Sequence, residues 1–238
     1  MCGIVAIVRR QSTRAVPSAA QVLTLVNAAA AAFDADSVTS LDGCRASLQE
    51  LNSLLLGVPG AVALLESPGL SAEIAAQLDP LMKTLTTTAD DAVASGEIIA
   101  EDLNAARRAI KDVLWAVLRD RLSVPEGIRA LGGAGESAAV IAALCSVHDA
   151  LSALDRLEVR GRDSLGLHLF VSGHGQDLDE PALARAISDR SGDASFVNNA
   201  VRRVGDVVSF VYKESAEIGE LGDNTAALRR AIAADELL

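Results

Sequence analysis

The strongest constraint on this fold is a change of periodicity towards both ends of the chain. From residue 11 to about 150, apolar side chains recur every three or four positions, the mark of helices with one buried stripe. The two ends follow another rule. Ile4–Val8 is a short, mostly β-branched apolar run that reads as a buried strand. Beyond Glu158, Leu167–Ser172 alternates, and Asp206–Lys213 is rich in Val, Phe and Tyr, so both read as strands. Residues 11–150 are therefore expected to be all-helical, and residues 1–8 and 158–238 to be α/β.

Within the helical stretch, Ser18 is placed to cap a helix over Ala19–Phe33, and a second runs from Leu41 to Leu56. Gly57–Gly60 punctuates, and a short helix comes next over Ala61–Glu66. Ser71 opens another segment, in which Pro80 predicts a kink or break and Thr86–Ala89 is weakly helical. Ile98–Arg121 carries the clearest stripe, from Ile99 to Leu118, with Trp115 beside it. Glu101, Asp102, Arg107, Arg108, Lys111 and Asp112 form the expected solvated face. Gly132–Gly135 lacks the Lys-Ser/Thr ending of a phosphate loop and reads as a hinge or helix-start turn before a helix from Glu136 or Ser137 to about Leu157. Gly173–Gly175 reads as a hairpin-like turn, Glu180–Ser188 as a helix, and Asp223 or Asn224 as the cap of a last helix beginning at Thr225.

Composition narrows the function. The chain has 238 residues, enough for one large or two modest domains, and half of them are hydrophobic. The net charge of −11, with no basic segment, argues against a nucleic-acid partner. Cys2, Cys44 and Cys145 are far apart and form no CxxC pair, which fits a reducing, cytoplasmic setting. His148, His168 and His174 have no metal-ligand spacing, so neither a metal nor another cofactor is expected. His148 and Cys145 lie three residues apart on one helix, a pairing read as packing, although a Cys–His dyad has the same spacing. The apolar start is too short for a signal peptide, and no stretch reads as a membrane span.

The chemistry-bearing candidate is Cys2. Removal of Met1 leaves one residue with both a thiol and a free α-amine. Thiols titrate at about 8.5 and α-amines at about 8, so the amine is a base of suitable strength at neutral pH. It could take the thiol proton and later return it to a leaving group. The ordinary reading of such a cysteine is a small buried hydrophobe.

Cys2–Val5, together with the later stretch from Leu157 to Gly166 (Leu-Glu-Val-Arg-Gly-Arg-Asp-Ser-Leu-Gly), resembles the class II, N-terminal-nucleophile glutamine amidotransferases. The likeness is greatest to the glutaminase domain of glutamine–fructose-6-phosphate transaminase (glucosamine-6-phosphate synthase), which carries CGIVG and LEYRGYDSAG. Arg162 stands for Tyr, and Leu165 for Ala. Val204–Val207 and Ile218–Thr225 also resemble downstream segments of that family.

The resemblance implies an α+β, N-terminal-nucleophile hydrolase type layered fold, partial here. Residues 1–10 and 138–238 would be the host, interrupted by an all-helical insertion over 11–137. It implies Cys2 as the nucleophile, with Arg160, Gly161, Asp163 and Ser164 supporting the substrate site. L-glutamine would be the substrate, and a sugar phosphate, fructose 6-phosphate, would accept the ammonia in a further domain. The family's HTRW segment and its Asn-Gly oxyanion pair are not in this sequence, so the chain is expected to be the N-terminal piece of a longer protein. Self-association is left open. The rival reading is a non-catalytic helical interaction module on a degenerate amidotransferase scaffold.

Overall fold

A computed structural model describes residues 3–96, 99–133, 137–158, 164–192, 197–215 and 222–238. The chain divides into two units. One comprises Arg10–Gly127 with Glu136–Cys145, and the other Met1–Arg9, Ile128–Gly135 and Ser146–Leu238. Among the described residues the fold is mixed α+β, dominated by helix and carrying one small antiparallel sheet.

The first unit is helical. α1 (Ala19–Ala32) starts at Ser18, whose side chain accepts from the Gln21 backbone while Gln21 bonds back to the Ser18 backbone. That reciprocal pairing satisfies two donors that a helix start leaves open. α2 (Val38–Leu54) is capped by Ser37. The chain then bends by 89° into α3 (Gly57–Glu66). Glycine is required inside that bend, because a Cβ on Gly60 would lie 2.0 Å from the Leu55 carbonyl oxygen. The expected punctuation at Gly57–Gly60 is thus the first turn of α3. Pro59 is tolerated there because first-turn N–H groups have no helical acceptor.

α4 (Leu70–Ser95) corrects the sequence reading, since it runs unbroken through Pro80 and through Thr86–Ala89. Ile74, Leu78, Leu81 and Leu85 are buried along one stripe, whereas Pro80 is on the exposed face, where water can reach the carbonyl its ring displaces. The hydroxyls of Thr86 and Thr88 donate to the carbonyls of Met82 and Thr84 one turn back, so these residues stay within the helix.

α5 (Glu101–Trp115) passes into a π-helical turn over Ala116–Arg121; its expected start at Ile98 lies outside the described residues. Arg107 departs from the solvated face assigned to it. It is buried, and it donates from Nε to the Ala35 carbonyl at 2.8 Å and from Nη2 to Asp36 at 2.7 Å. Its aliphatic stem lies within the stripe while its head finds acceptors between α1 and α2. Trp115 is half exposed. Val22, Val26, Leu41, Cys44, Leu48, Leu51, Ile74, Leu78, Ile110 and Leu114 form one fully enclosed core. Each large aliphatic side chain so buried contributes about 1.5–3 kcal/mol.

α6 (Val124–Ala130) ends at Gly132, whose φ is 91°. Gly132 and Gly133 donate to the carbonyls of Arg129 and Ile128, a left-handed helix stop. α7 (Ala138–Glu158) comes next. Over Ala138–Leu157 it is long and apolar enough to cross a bilayer, contrary to the sequence reading. Its His148, Asp149 and Asp155 are engaged by Arg229, Arg9 and Thr225.

In the second unit, β1 (Leu165–Val171), β2 (Val201–Val204) and β3 (Val207–Glu214) form an antiparallel sheet in the order β1-β3-β2. Leu167 faces Tyr212, Phe170 faces Ser209, and Val201 faces Phe210. The true hairpin joins β2 to β3 through Gly205 and Asp206, with Gly205 at φ 59°, where a two-residue turn places glycine first. Gly173–Gly175 is not a hairpin turn; it opens the loop leading to α8 (Pro181–Asp189), which Glu180 caps. There His174 Nδ1 accepts from the Gln176 backbone, so its Nε2 carries the hydrogen and donates to the Asp206 carbonyl at 3.0 Å.

α9 (Asp223–Ala233) crosses β3 and β1, and α8 packs beside β2. Gly222, at φ 97°, occupies the cap position expected of Asp223 or Asn224. The helix then gains Thr225, whose hydroxyl reaches Asp155 on α7.

Residues 3–10 form no strand, which corrects the expectation for Ile4–Val8. Ile4 and Val8 are each 94% exposed. An apolar β-branched run becomes a strand only where an edge accepts it. Here the segment pairs with none of the three strands, and its Gly3 and Arg9 meet α7 instead.

Candidate functional site

Among the described residues, two contacts tie the ends of this segment to α7. A Cβ on Gly3 would lie 2.8 Å from a methyl of Leu157, so the glycine backbone sits directly against that side chain near the end of α7. At the other end, Arg9 donates to and ion-pairs with Asp149, two turns earlier on the same helix. The residue after Cys2 therefore meets the first residue of the Leu157–Gly166 stretch. Cys2, Arg160, Gly161 and Asp163 lie outside the described residues. Ser164 is exposed immediately before β1.

The other cysteines are poor nucleophiles. Cys44 is fully enclosed, and burial pushes its thiol up to about 11. Cys145 is buried on α7. His148 is buried too, but its partners are Arg229, 3.3 Å from Nδ1, and the Ser152 hydroxyl, 3.5 Å from Nε2. Burial, helped by Arg229, pushes the imidazole below its ordinary range. An arginine can only donate, so Nδ1 accepts and the ring is neutral. That arrangement supports packing between α7 and α9.

A further polar cluster went unseen in the sequence. Arg190, at the C-terminal end of α8, grips Asp235 with two hydrogen bonds of 2.8 Å and donates to the Asn199 carbonyl at 2.9 Å and side chain at 2.6 Å. The Tyr212 hydroxyl donates to Asp235 at 2.6 Å. Burial raises Asp235, but the bonds from Arg190 and Tyr212 outweigh it and hold the carboxyl below its usual range. Burial first, then the bond to Asp235, pushes the Tyr212 phenol far up, so it remains neutral. Asn199 holds φ 67°, uncommon for a non-glycine residue. The only advance signal was the small set of polar residues near the end of the chain. Arg190, Asn199 and Asp235 line an open hollow of about 660 Å³ with Ala186, Ala231 and Ala234. The guanidinium and carboxylate engage each other, so the cluster fastens α8, β3 and the chain's last turn.

No family model, curated protein or solved structure matches this chain. Among the described residues, no group of three or more His, Cys, Asp or Glu side chains is placed to hold a metal ion. The side chains around His148 join α7 to α9, and those around Asp235 join α8, β3 and the end of the chain.

Proposed function

We propose that the chain is the nucleophile-bearing part of a glutamine amidotransferase, acting as a glutaminase through Cys2. The observation that supports this is the seat of Gly3 on Leu157, a contact between one residue of each of the two stretches that resemble that family. The Cys2 thiolate attacks the carboxamide carbon of glutamine, forming a C–S bond. The protonated α-amine gives its proton to the departing ammonia, and water then cleaves the γ-glutamyl thioester to release glutamate. Arg160, Gly161, Asp163 and Ser164 support the substrate. Fructose 6-phosphate, bound by a further domain, condenses with the ammonia at its ketone carbon, losing the oxygen as water, and isomerisation of the imine gives glucosamine 6-phosphate. The setting is cytoplasmic.

A specific observation favours the rival reading of a non-catalytic interaction module. The segment after Cys2 is not seated in a sheet, and its Ile4 and Val8 face solvent. Two measurements on the 238-residue protein separate these readings. Intact mass reports whether Met1 is removed. Peptide mapping then locates the adduct formed with a chloroketone glutamine analogue. The amidotransferase reading expects a free N-terminal cysteine, labelling of Cys2, and no labelling of Cys44 or Cys145. Retained Met1, or labelling of Cys145 in place of Cys2, contradicts it.

A further inference from the structure

We propose that the Arg9–Asp149 ion pair is a latch that positions the N-terminal nucleophile; the proposal rests on the glutaminase reading of Cys2. The pair joins the end of the N-terminal segment to the middle of α7, the helix whose far end carries Leu157. Arg9 is mostly covered and Asp149 about half covered, so the pair is held against the helix.

Among the described residues, little else restrains this segment. Ile4 and Val8 project into solvent, Val5 is half-buried, and among the described residues Gly3–Val8 makes no hydrogen bond within the fold. From Asp149 to Leu157 the helix rises about 12 Å, whereas the chain from Gly3 to Arg9 can reach about 20 Å. The segment therefore has slack. With both ends held, the slack is confined; with Arg9 released, among the described residues the packing of Gly3 on Leu157 and of the half-buried Val5 remains to fix the segment next to the nucleophile. A reacting group displaced by an ångström loses much of the benefit of proximity. Arg9 and Asp149 touch no substrate in this proposal and act only through the placement of Cys2.

The test uses the full chain with its N-terminus confirmed by mass. Asp149→Asn, Arg9→Gln and the exchanged pair Arg9→Asp with Asp149→Arg are compared with the parent. The rate of Cys2 alkylation by the chloroketone glutamine analogue is followed across the neutral pH range. Elastase cleavage within Ile4–Val8 reports independently how firmly the segment is held, and thermal unfolding reports the fold. A pair of this exposure holds its geometry by at most about 1 kcal/mol, so each single variant should slow alkylation roughly three- to fivefold. The pH midpoint and Tm should stay in place, elastase cleavage should rise, and the exchanged pair should restore both rates.

Faster cleavage with unchanged alkylation would overturn the latch as a positioning device while leaving the nucleophile assignment standing. Failure of the exchanged pair to restore the rates would overturn the role of the ion pair. Absence of Cys2 labelling in the parent would remove the glutaminase reading, and the latch with it.

Discussion

At Gly60 a single missing methyl decides the path of the chain. The atom a Cβ would strike is the Leu55 backbone oxygen, which cannot rotate aside as a side chain can. Gly60→Ala should therefore destabilise the helical unit by about 3 kcal/mol or more, seen as a Tm lower by about 10 °C. Gly3 offers the contrast. The atoms around its absent Cβ belong to the flexible end of Leu157, so Gly3→Ala should leave Tm within about 2 °C. Thermal melts of the two variants side by side check both statements. The sequence marked both glycines but could not rank them, because the obstacle at Gly60 exists only once α2 and α3 meet at their bend. Arg107 escaped for a related reason. A charged residue beside an apolar stripe is usually solvated, and only the carbonyl of Ala35 and the carboxylate of Asp36 offset the cost of burying it.

Among the elements, those with their own local signals were legible. Ser18 and Glu180 mark the starts of α1 and α8, and the Val-, Phe- and Tyr-rich run marks β3. Features that depend on remote partners were hidden. α4 continues past Pro80 because buried leucines on both sides hold its stripe, and the Ile4–Val8 run pairs with no strand of the sheet and stays largely exposed. The Arg190–Asp235–Tyr212 cluster joins α8, the end of the chain and β3, and no period announces such a grouping. Arg190→Ala would leave the enclosed Asp235 carboxylate without its cation, at a cost of about 3 kcal/mol. Arg190→Lys should recover only part of this, because an ammonium cannot reproduce the paired bonds to Asp235 and those to Asn199. Urea unfolding of both variants tests the order.

The junction of α7 and α9 carries a pH dependence. The folded pKa of His148 is lowered from 6.5, chiefly by burial and then by Arg229. Below 6.5 the unfolded chain therefore takes up a proton that the folded chain refuses, and stability falls until the folded pKa is passed. Above that window this histidine contributes no slope. The Tm of the native protein should drop on acidification from about pH 7 to about pH 5, and His148→Gln should flatten that part of the curve. Equal slopes in both proteins would assign the acid sensitivity to other groups.

For the whole molecule, the family resemblance implies an insertion over 11–137, whereas the structure divides the chain into Arg10–Gly127 with Glu136–Cys145 and the remainder. The helical core of the first unit draws on α1, α2, α4 and α5, all before residue 127. A fragment of residues 10–127 should accordingly fold alone, with a cooperative melt and helical circular dichroism. A non-cooperative melt would mean that this core needs the rest of the chain.

Central to the proposed chemistry is a Cys2 that reacts with its own α-amine as base. The most direct test is the pH profile of Cys2 alkylation by the glutamine analogue, measured for the native N-terminus and for a variant with one alanine added ahead of Cys2. With the native terminus, the rate should rise through a step at about pH 7–8, which belongs to the coupled thiol and amine together. The added residue turns the amine into a peptide nitrogen, so the rate at neutral pH should collapse and any remaining step should move towards the ordinary thiol value of about 8.5. An extended variant with undiminished rate and the same step would contradict the claim.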